Sequence, residues 1–298
     1  MQIMTDSAYD EFALFHENMS EWNLQGPVPP VRRFFVAVDG LRQLSGLQWG
    51  EGEPELVLVH GGAQNAHTFD TVALALRRPL IAIDLPGHGH SDGSPYGGSP
   101  IMSHATDLIA ALKPLLHGPR PLVGMSLGGL VSLVVAHKRP DLVSSLVLID
   151  ITPGVNADKA RHITDFVNGP ASFDDLDALL ERTIEHNPTR SVSSLRRGIL
   201  HNAVQRSDGT WVWRHQRHPR SELVAPDVGD LWAKLEELKM PVTLLRAMAA
   251  GSVVDDEDEA ELLRRCPHAR VVHVAGAGHS IQGDAPLELA ALLNRFCV

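Results

Sequence analysis

Cysteine is scarce: Cys266 and Cys297 are the two in 298 residues, and they stand far apart in no CxxC spacing. That excludes a disulfide framework and a cysteine-ligated zinc site, and reduced thiols fit the cytoplasm. Basic residues are also short. Against 36 Asp and Glu there are 26 Lys and Arg, a formal net charge of -10 and the wrong sign for a chain whose main partner is nucleic acid. No apolar run reaches the roughly 18 residues that a membrane span needs. The opening stretch MQIMTDSAYDEFALFHENM carries acids where a secretory leader carries lysine or arginine. The expectation is a soluble, unexported protein that neither crosses a membrane nor binds nucleic acid. Internal repeats and low-complexity stretches are missing too. What is plentiful is apolar side chains, 44% of the chain, enough for one large domain or a domain with a sizeable insertion.

Those side chains fall in short runs that alternate with helical patterns, the rhythm of a mostly parallel sheet with helices on both faces. RRFFVAV and RQLSGLQW read as two strands joined by a hairpin at Asp39-Gly40. ELVLVHGG (55–62) is apolar without alternation, as a strand buried on both faces should be. Further strands are expected at 79–87, 121–125 and 144–150, with helices over 68–77, 104–116 and 127–138 between them. The rhythm then stops. Residues 152–235 are polar, arginine-rich and helical in pattern, with no convincing parallel strand, and βα alternation resumes at MPVTLLRA (240–247) and continues through ARVVHVAG (269–276) to a closing helix over 286–296. The expected organisation is a core of residues 31–151 and 236–298, a helical cap inserted at 152–235, and an N-terminal extension of residues 1–30. YDEFALFHENM within that extension reads as a helix that packs either on the body or on a second copy of the chain in a homodimer, with GPVPP as a stiff connector.

In VGMSLGGL (123–130), Ser126 falls where a strand turns into a helix. The G-x-S-x-G pattern alone is weak, but in this setting the sharp bend needs the small neighbours Gly124 and Gly128, and it exposes the hydroxyl at the C-terminal edge of the sheet. A serine hydroxyl needs a base to become a nucleophile. Among sixteen histidines, His279 stands out by position, in the glycine-rich loop VVHVAGAGHS just past the last strand.

HGG after the third strand, DLPGHGHSD after the fourth, GMSLGG and GAGHS occur in the order and spacing of the α/β-hydrolase superfamily, and the likeness covers about residues 31–150 and 236–298. The chain resembles the serine-nucleophile branch of that superfamily that carries a helical cap. The resemblance implies an eight-stranded sheet with its first pair antiparallel. It also implies that the backbone N–H groups of Gly62 and Leu127 form an oxyanion hole. In DLPGHGHSD the glycines turn the chain, Asp84 reads as a turn residue, and Ser91 or Asp92 is expected to cap the segment after the motif.

The third triad member should orient His279. The superfamily usually places an aspartate after the seventh strand, and here that loop offers Ala250, Gly251 and Ser252 instead, with Asp255 and Asp256 further on, where they suit the start of a helix. Asp150 ends the strand next to that of Ser126 and is the preferred acid, Asp255 or Asp256 the alternative. The chemistry expected is acyl transfer to Ser126 and hydrolysis of an ester or lactone, with no metal and no organic cofactor. A carbon–carbon bond hydrolase acting on ring-cleavage-product carboxylates uses the same three side chains and is the alternative, followed by a ligand receptor without turnover. The partner is a small acyl substrate. Seven arginines between Arg190 and Arg220, against the single acid Asp208, suit either an anionic group on that substrate or a solvated helical face. Trp211 and Trp213 would point the same way on an extended segment, core packing being the simpler use.

Overall fold

The computed structural model describes residues 9–93, 99–187, 190–217, 228 and 230–297. Helix α1 (Phe15–Glu21) comes first, followed by the hairpin β1 (Val31–Ala37) and β2 (Gln43–Trp49). Strand β3 (Leu56–Val59), helix α2 (Asp70–Leu76), β4 (Leu80–Ile83), α3 (Pro100–Leu115), β5 (Arg120–Met125), α4 (Leu127–Lys138) and β6 (Val143–Ile149) come next in alternation.

Between β6 and the return to the main sheet lie α5 (Arg161–Val167), β7 (Ser172–Phe173), α6 (Leu176–His186), α7 (Val192–Asn202), β8 (Ala203–Gln205) and β9 (Trp211–Trp213). Helix α8 (Leu231–Glu236), β10 (Val242–Ala247), α9 (Asp256–Arg265), β11 (Arg270–Val274), α10 (Ile281–Asp284) and α11 (Pro286–Phe296) complete the chain.

Eight strands form one sheet in the order β1-β2-β4-β3-β5-β6-β10-β11. β1 and β2 pair antiparallel, β2 meets β4 antiparallel, and the remaining neighbours are parallel. The unbroken apolar runs have a simple cause. Leu56 and Leu58 enter the core on one face of the sheet, whereas Val57 and Val59 enter the core on the other, and β6 divides Val147 and Ile149 from Leu146 and Leu148 in the same way. Helix α4 is apolar nearly all round because it is buried along most of its length within one of these layers.

The insertion is more than helices. Its strands form a second, three-stranded antiparallel sheet, β7-β9-β8, around a small core of Phe173, Leu179, Ile199 and Ala203. Strands of two or three residues leave almost no periodicity to read. Helix α8 sides with the sheet body, since Leu231 and Leu235 are buried in its main core. The N-terminal helix packs on the body: Phe15 is buried with its ring centroid 4.8 Å from that of Trp49. Among the described residues, no helix is long and apolar enough to cross a membrane.

Candidate active site

Parallel register brings the strand ends together. Met125 at the end of β5 pairs with Ile149 at the end of β6, so Ser126 and Asp150 leave the sheet side by side. The turn at Ser126 is strained: φ is 50° and ψ is -120°, outside the regions ordinary side chains prefer. It is possible only because its flanks are glycines. A Cβ on Gly124 would collide with the Gly128 carbonyl, and one on Gly128 with the backbone of Val59 and His60. Leu127 begins α4, so its N–H lacks an intrahelical acceptor, and with Gly62 and Ser126 it lines a cavity of about 1020 Å³.

His279 lines the same cavity. Its Nδ1–H donates to Asp150 Oδ2 at 2.9 Å, and its Nε2, buried, has no hydrogen-bond partner among the described residues. Asp150 is fully buried and itself held in the left-handed region, φ 45°. Four donors fix it. The Ala247 N–H (2.9 Å) and the Ser252 hydroxyl (2.7 Å) donate to Oδ1, and the Val253 N–H (3.1 Å) joins His279 on Oδ2. The loop after β10, the usual place of the acid in the superfamily, thus supplies donors to a carboxylate on β6.

Asp255 and Asp256 are occupied elsewhere. Asp255 N-caps α9 in a reciprocal capping box with Asp258 and pairs with Lys159, while Asp256 pairs with Arg246. Asp84 is more than a turn residue: fully buried, it pairs with Arg33 and accepts from the Ser45 hydroxyl and the Ala66 and His90 N–H groups. Ser91 and Asp92 brace β2 through the N–H groups of Ser45 and Gln43 instead of capping a helix. The helix after them, α3, starts only at Pro100, with Ser99 at its N-cap position.

His60 of the HGG turn is a strut. Its Nδ1–H donates to the Gly61 carbonyl at 2.7 Å and its Nε2 accepts from the Leu85 N–H at 2.9 Å, and burial holds it near pKa 3, neutral throughout the working range. His88 accepts from the Ala63 N–H in the same way and so fixes the loop behind Gly62.

The N-terminal segment contributes to the cavity, which the sequence did not reveal. Asn18 and Trp22 line it. The amphipathic spacing of Phe12, Phe15 and Met19 was the available sign of a packed helix, though not of what its polar face would touch. That face ties the body to the insertion. Arg197 of α7 donates to Asn18 and Glu21, Ser191 donates to Glu21, and the Tyr9 hydroxyl bonds His201. Nearby, His67 lies between Asp70 (2.9 Å) and Glu11 (3.0 Å) and stacks on His201 at 3.8 Å. Burial alone would lower the pKa of His67, but the two carboxylates overcome it and raise it to about 9. His67, Asp70 and His201 have the spacing of metal ligands. Both ring nitrogens of His67 are, however, engaged here by the carboxylates of Asp70 and Glu11.

Of the arginines between β6 and β10, Arg190, Arg197 and Arg217 line the cavity, Arg196 faces Glu17 at the surface, and Arg214 lies over the Tyr9 ring. Arg220 falls outside the described residues. Trp213 also lines the cavity, edge-on to Phe166 at 5.6 Å, and Trp211 packs against the small core of the insertion.

A strained serine between strand and helix, in the middle of an eight-stranded sheet and lining one cavity with a histidine–aspartate pair, fits the α/β-hydrolase class. The chain belongs to that family: the model described as alpha/beta hydrolase fold matches residues 54–286. Among individual relatives, it is 39% identical to Esterase Rv0045c of Mycobacterium tuberculosis over 292 residues, 96% of this chain and 95% of that one. A crystal structure of the M. tuberculosis esterase superimposes with a TM-score of 0.84 at 38% identity, covering 97% of this chain and 98% of the other. The structure of E-2-(acetamidomethylene)succinate hydrolase superimposes with a TM-score of 0.79 at 27% identity, covering 90% and 99%. The curated enzyme of nearly the same name from Mesorhizobium japonicum is 29% identical over 245 residues, 81% of this chain and 87% of that one.

Proposed function

We propose that this protein is a serine ester hydrolase working through an acyl-enzyme. Ser126 attacks the acyl carbon as His279 Nε2 takes the hydroxyl proton, and the N–H groups of Gly62 and Leu127 receive the negative charge that develops on the carbonyl oxygen. His279 then protonates the departing alkoxide. Water enters, loses a proton to His279 and cleaves the acyl–Ser126 bond, which restores the free hydroxyl. Asp150 holds the imidazole in the tautomer with its proton on Nδ1 and steadies the imidazolium formed in each half.

One observation carries the reading: His279 is anchored through Nδ1 while Nε2 stays unpaired in the wall of the cavity that Ser126 shares. The similarity to a mycobacterial esterase along nearly the whole chain favours ester over carbon–carbon cleavage. The substrate is a small acyl compound held beneath the segment 152–235 acting as a cap. Both cysteines are free and buried, which supports a reducing compartment such as the cytoplasm. Labelling with a fluorophosphonate probe and mapping the adduct tests the proposal. Modification of Ser126 with turnover of short-chain p-nitrophenyl esters is expected; an unlabelled Ser126 in folded protein would overturn it.

A further inference from the structure

Arg190 differs from the other arginines around the cavity in what it lacks. Arg197 is satisfied by Asn18, Ser193 and Glu21, and Arg217 by the carbonyls of Gly169 and Pro170. Arg190 donates from Nη2 to the Ser194 hydroxyl at 2.8 Å, but its buried Nε has no hydrogen-bond partner among the described residues. Its nearest carboxylate, Asp284, stays 3.8 Å away, beyond hydrogen-bond reach, with Oδ2 committed to the Gly278 N–H. Glu21, the other acid that acts on it, is already bound by Arg197 and Ser191.

The seat for this guanidinium is built. It lies against Gly283, where a Cβ would come within 2.6 Å of Cζ, so any side chain there would push it away. Gly283 belongs to the single-turn helix α10 just after His279, and Arg190, Ser194 and Gly283 all line the cavity that holds Ser126 and His279. The Arg190 side chain is 22% exposed, but a cation whose Nε is buried without a matched acceptor is costly unless something anionic completes it.

We propose that Arg190 and the Ser194 hydroxyl form an anion subsite within the active-site cavity, selecting esters that carry a carboxylate away from the scissile bond. The inference rests on the hydrolase reading of the same site. Burial pulls the Arg190 pKa below its ordinary value more than Asp284 restores it, so the cation is under-compensated, yet an arginine stays charged at neutral pH. One guanidinium carries a single positive charge that Asp284, 3.8 Å away, offsets only in part, which leaves room for one negative charge, and a dianionic phosphate would overload it. Ser194, which accepts from Arg190, keeps its own hydroxyl proton for the ligand.

The test compares kcat/KM for matched ester pairs. On the acyl side the pair is the mono-p-nitrophenyl ester of glutaric acid and its methyl-capped form; on the alcohol side, the acetates of 4-hydroxybenzoic acid and of its methyl ester. Wild-type protein should prefer the free carboxylate by tenfold or more in one of the two arms, and that arm shows which side of the ester faces Arg190. R190Q should reduce the preference about tenfold and R190K should restore part of it. Neutral and anionic esters turned over equally by wild-type protein, or a preference that survives R190Q, would overturn the subsite and leave the hydrolase reading standing. Absence of all ester turnover together with an unlabelled Ser126 would remove both. Because the wild-type ratio is decisive alone, poor folding of a variant does not rescue the proposal.

Discussion

Replacing Asp150 by asparagine isolates the charge of the acid from its shape. Asparagine tolerates the left-handed backbone that φ of 45° demands, so the exchange adds no strain. The trouble is hydrogen bonding, since every contact to the carboxylate comes from a donor: Ala247 N–H, Ser252 Oγ–H, Val253 N–H and His279 Nδ1–H. If the amide NH2 sits at the Oδ1 position it opposes the Ala247 N–H, which cannot rotate away. At the Oδ2 position it opposes the Val253 N–H, and His279 escapes by moving its proton to Nε2. That tautomer cannot accept the Ser126 proton.

One buried donor facing another costs about 1–3 kcal/mol of stability, and a triad histidine held in the wrong tautomer loses about 10,000-fold in kcat. The folded fraction therefore hardly changes while turnover collapses. Thermal melting and kcat for a p-nitrophenyl ester check both halves. D255N is the control: asparagine caps a helix as well as aspartate does, so the exchange removes only the charge facing Lys159 and should leave kcat within about threefold. D150N keeping a tenth of wild-type kcat would refute the assignment of the acid, as would D255N abolishing turnover.

Gly128→Ala should give insoluble or unfolded protein, because the added Cβ meets the fixed backbone of Val59 and His60; soluble expression with native circular dichroism would contradict the close approach. Glu21→Ala leaves the buried Arg197 with only the more distant Glu17 carboxylate, 3.8 Å away, and should destabilise by about 3 kcal/mol, the low end for a broken buried pair because Glu21 is partly exposed and Glu17 remains, which denaturant titration measures. His67 gives a pH signature. Its pKa is raised from 6.5 to about 9 in the folded state, so its contribution to stability is complete below pH 6.5 and is lost as pH rises through 9. Melting temperature should fall between pH 7 and 9.5 in the wild type, and H67Q should show a shallower fall.

The sheet was readable because a strand buried on both faces must be apolar at every position, and β3 and β4 announce themselves in this way, as do the C-terminal halves of β5 and β6. Ser126 and His279 could be proposed from the sequence because each sits in a glycine-bearing turn at a strand end, whereas Gly62 and Leu127 came from the family resemblance alone. Asp150 came from parallel register. Its holders were not readable: Ser252, in the loop that usually carries the acid, reveals its part only once that loop is seen to fold back onto β6. The short strands of the insertion carry too few residues for periodicity, and the role of α1 rests on pairs such as Arg197–Glu21 and Tyr9–His201, whose members are separated by 176 and 192 residues. Asp84 looked like part of a turn because Arg33, its partner, lies 51 residues earlier.

That separation has a consequence during synthesis. Tyr9 and Glu21 leave the ribosome long before His201 and Arg197 exist, and at about 5–20 residues per second the wait is roughly 10–40 s. Until the arginine-bearing helix is made, α1 has only its contacts with the body, Phe15 on Trp49 among them. The ties between α1 and α7 are therefore late contacts, and the strands β10 and β11 that complete the sheet, with His279 beyond them, are made later still.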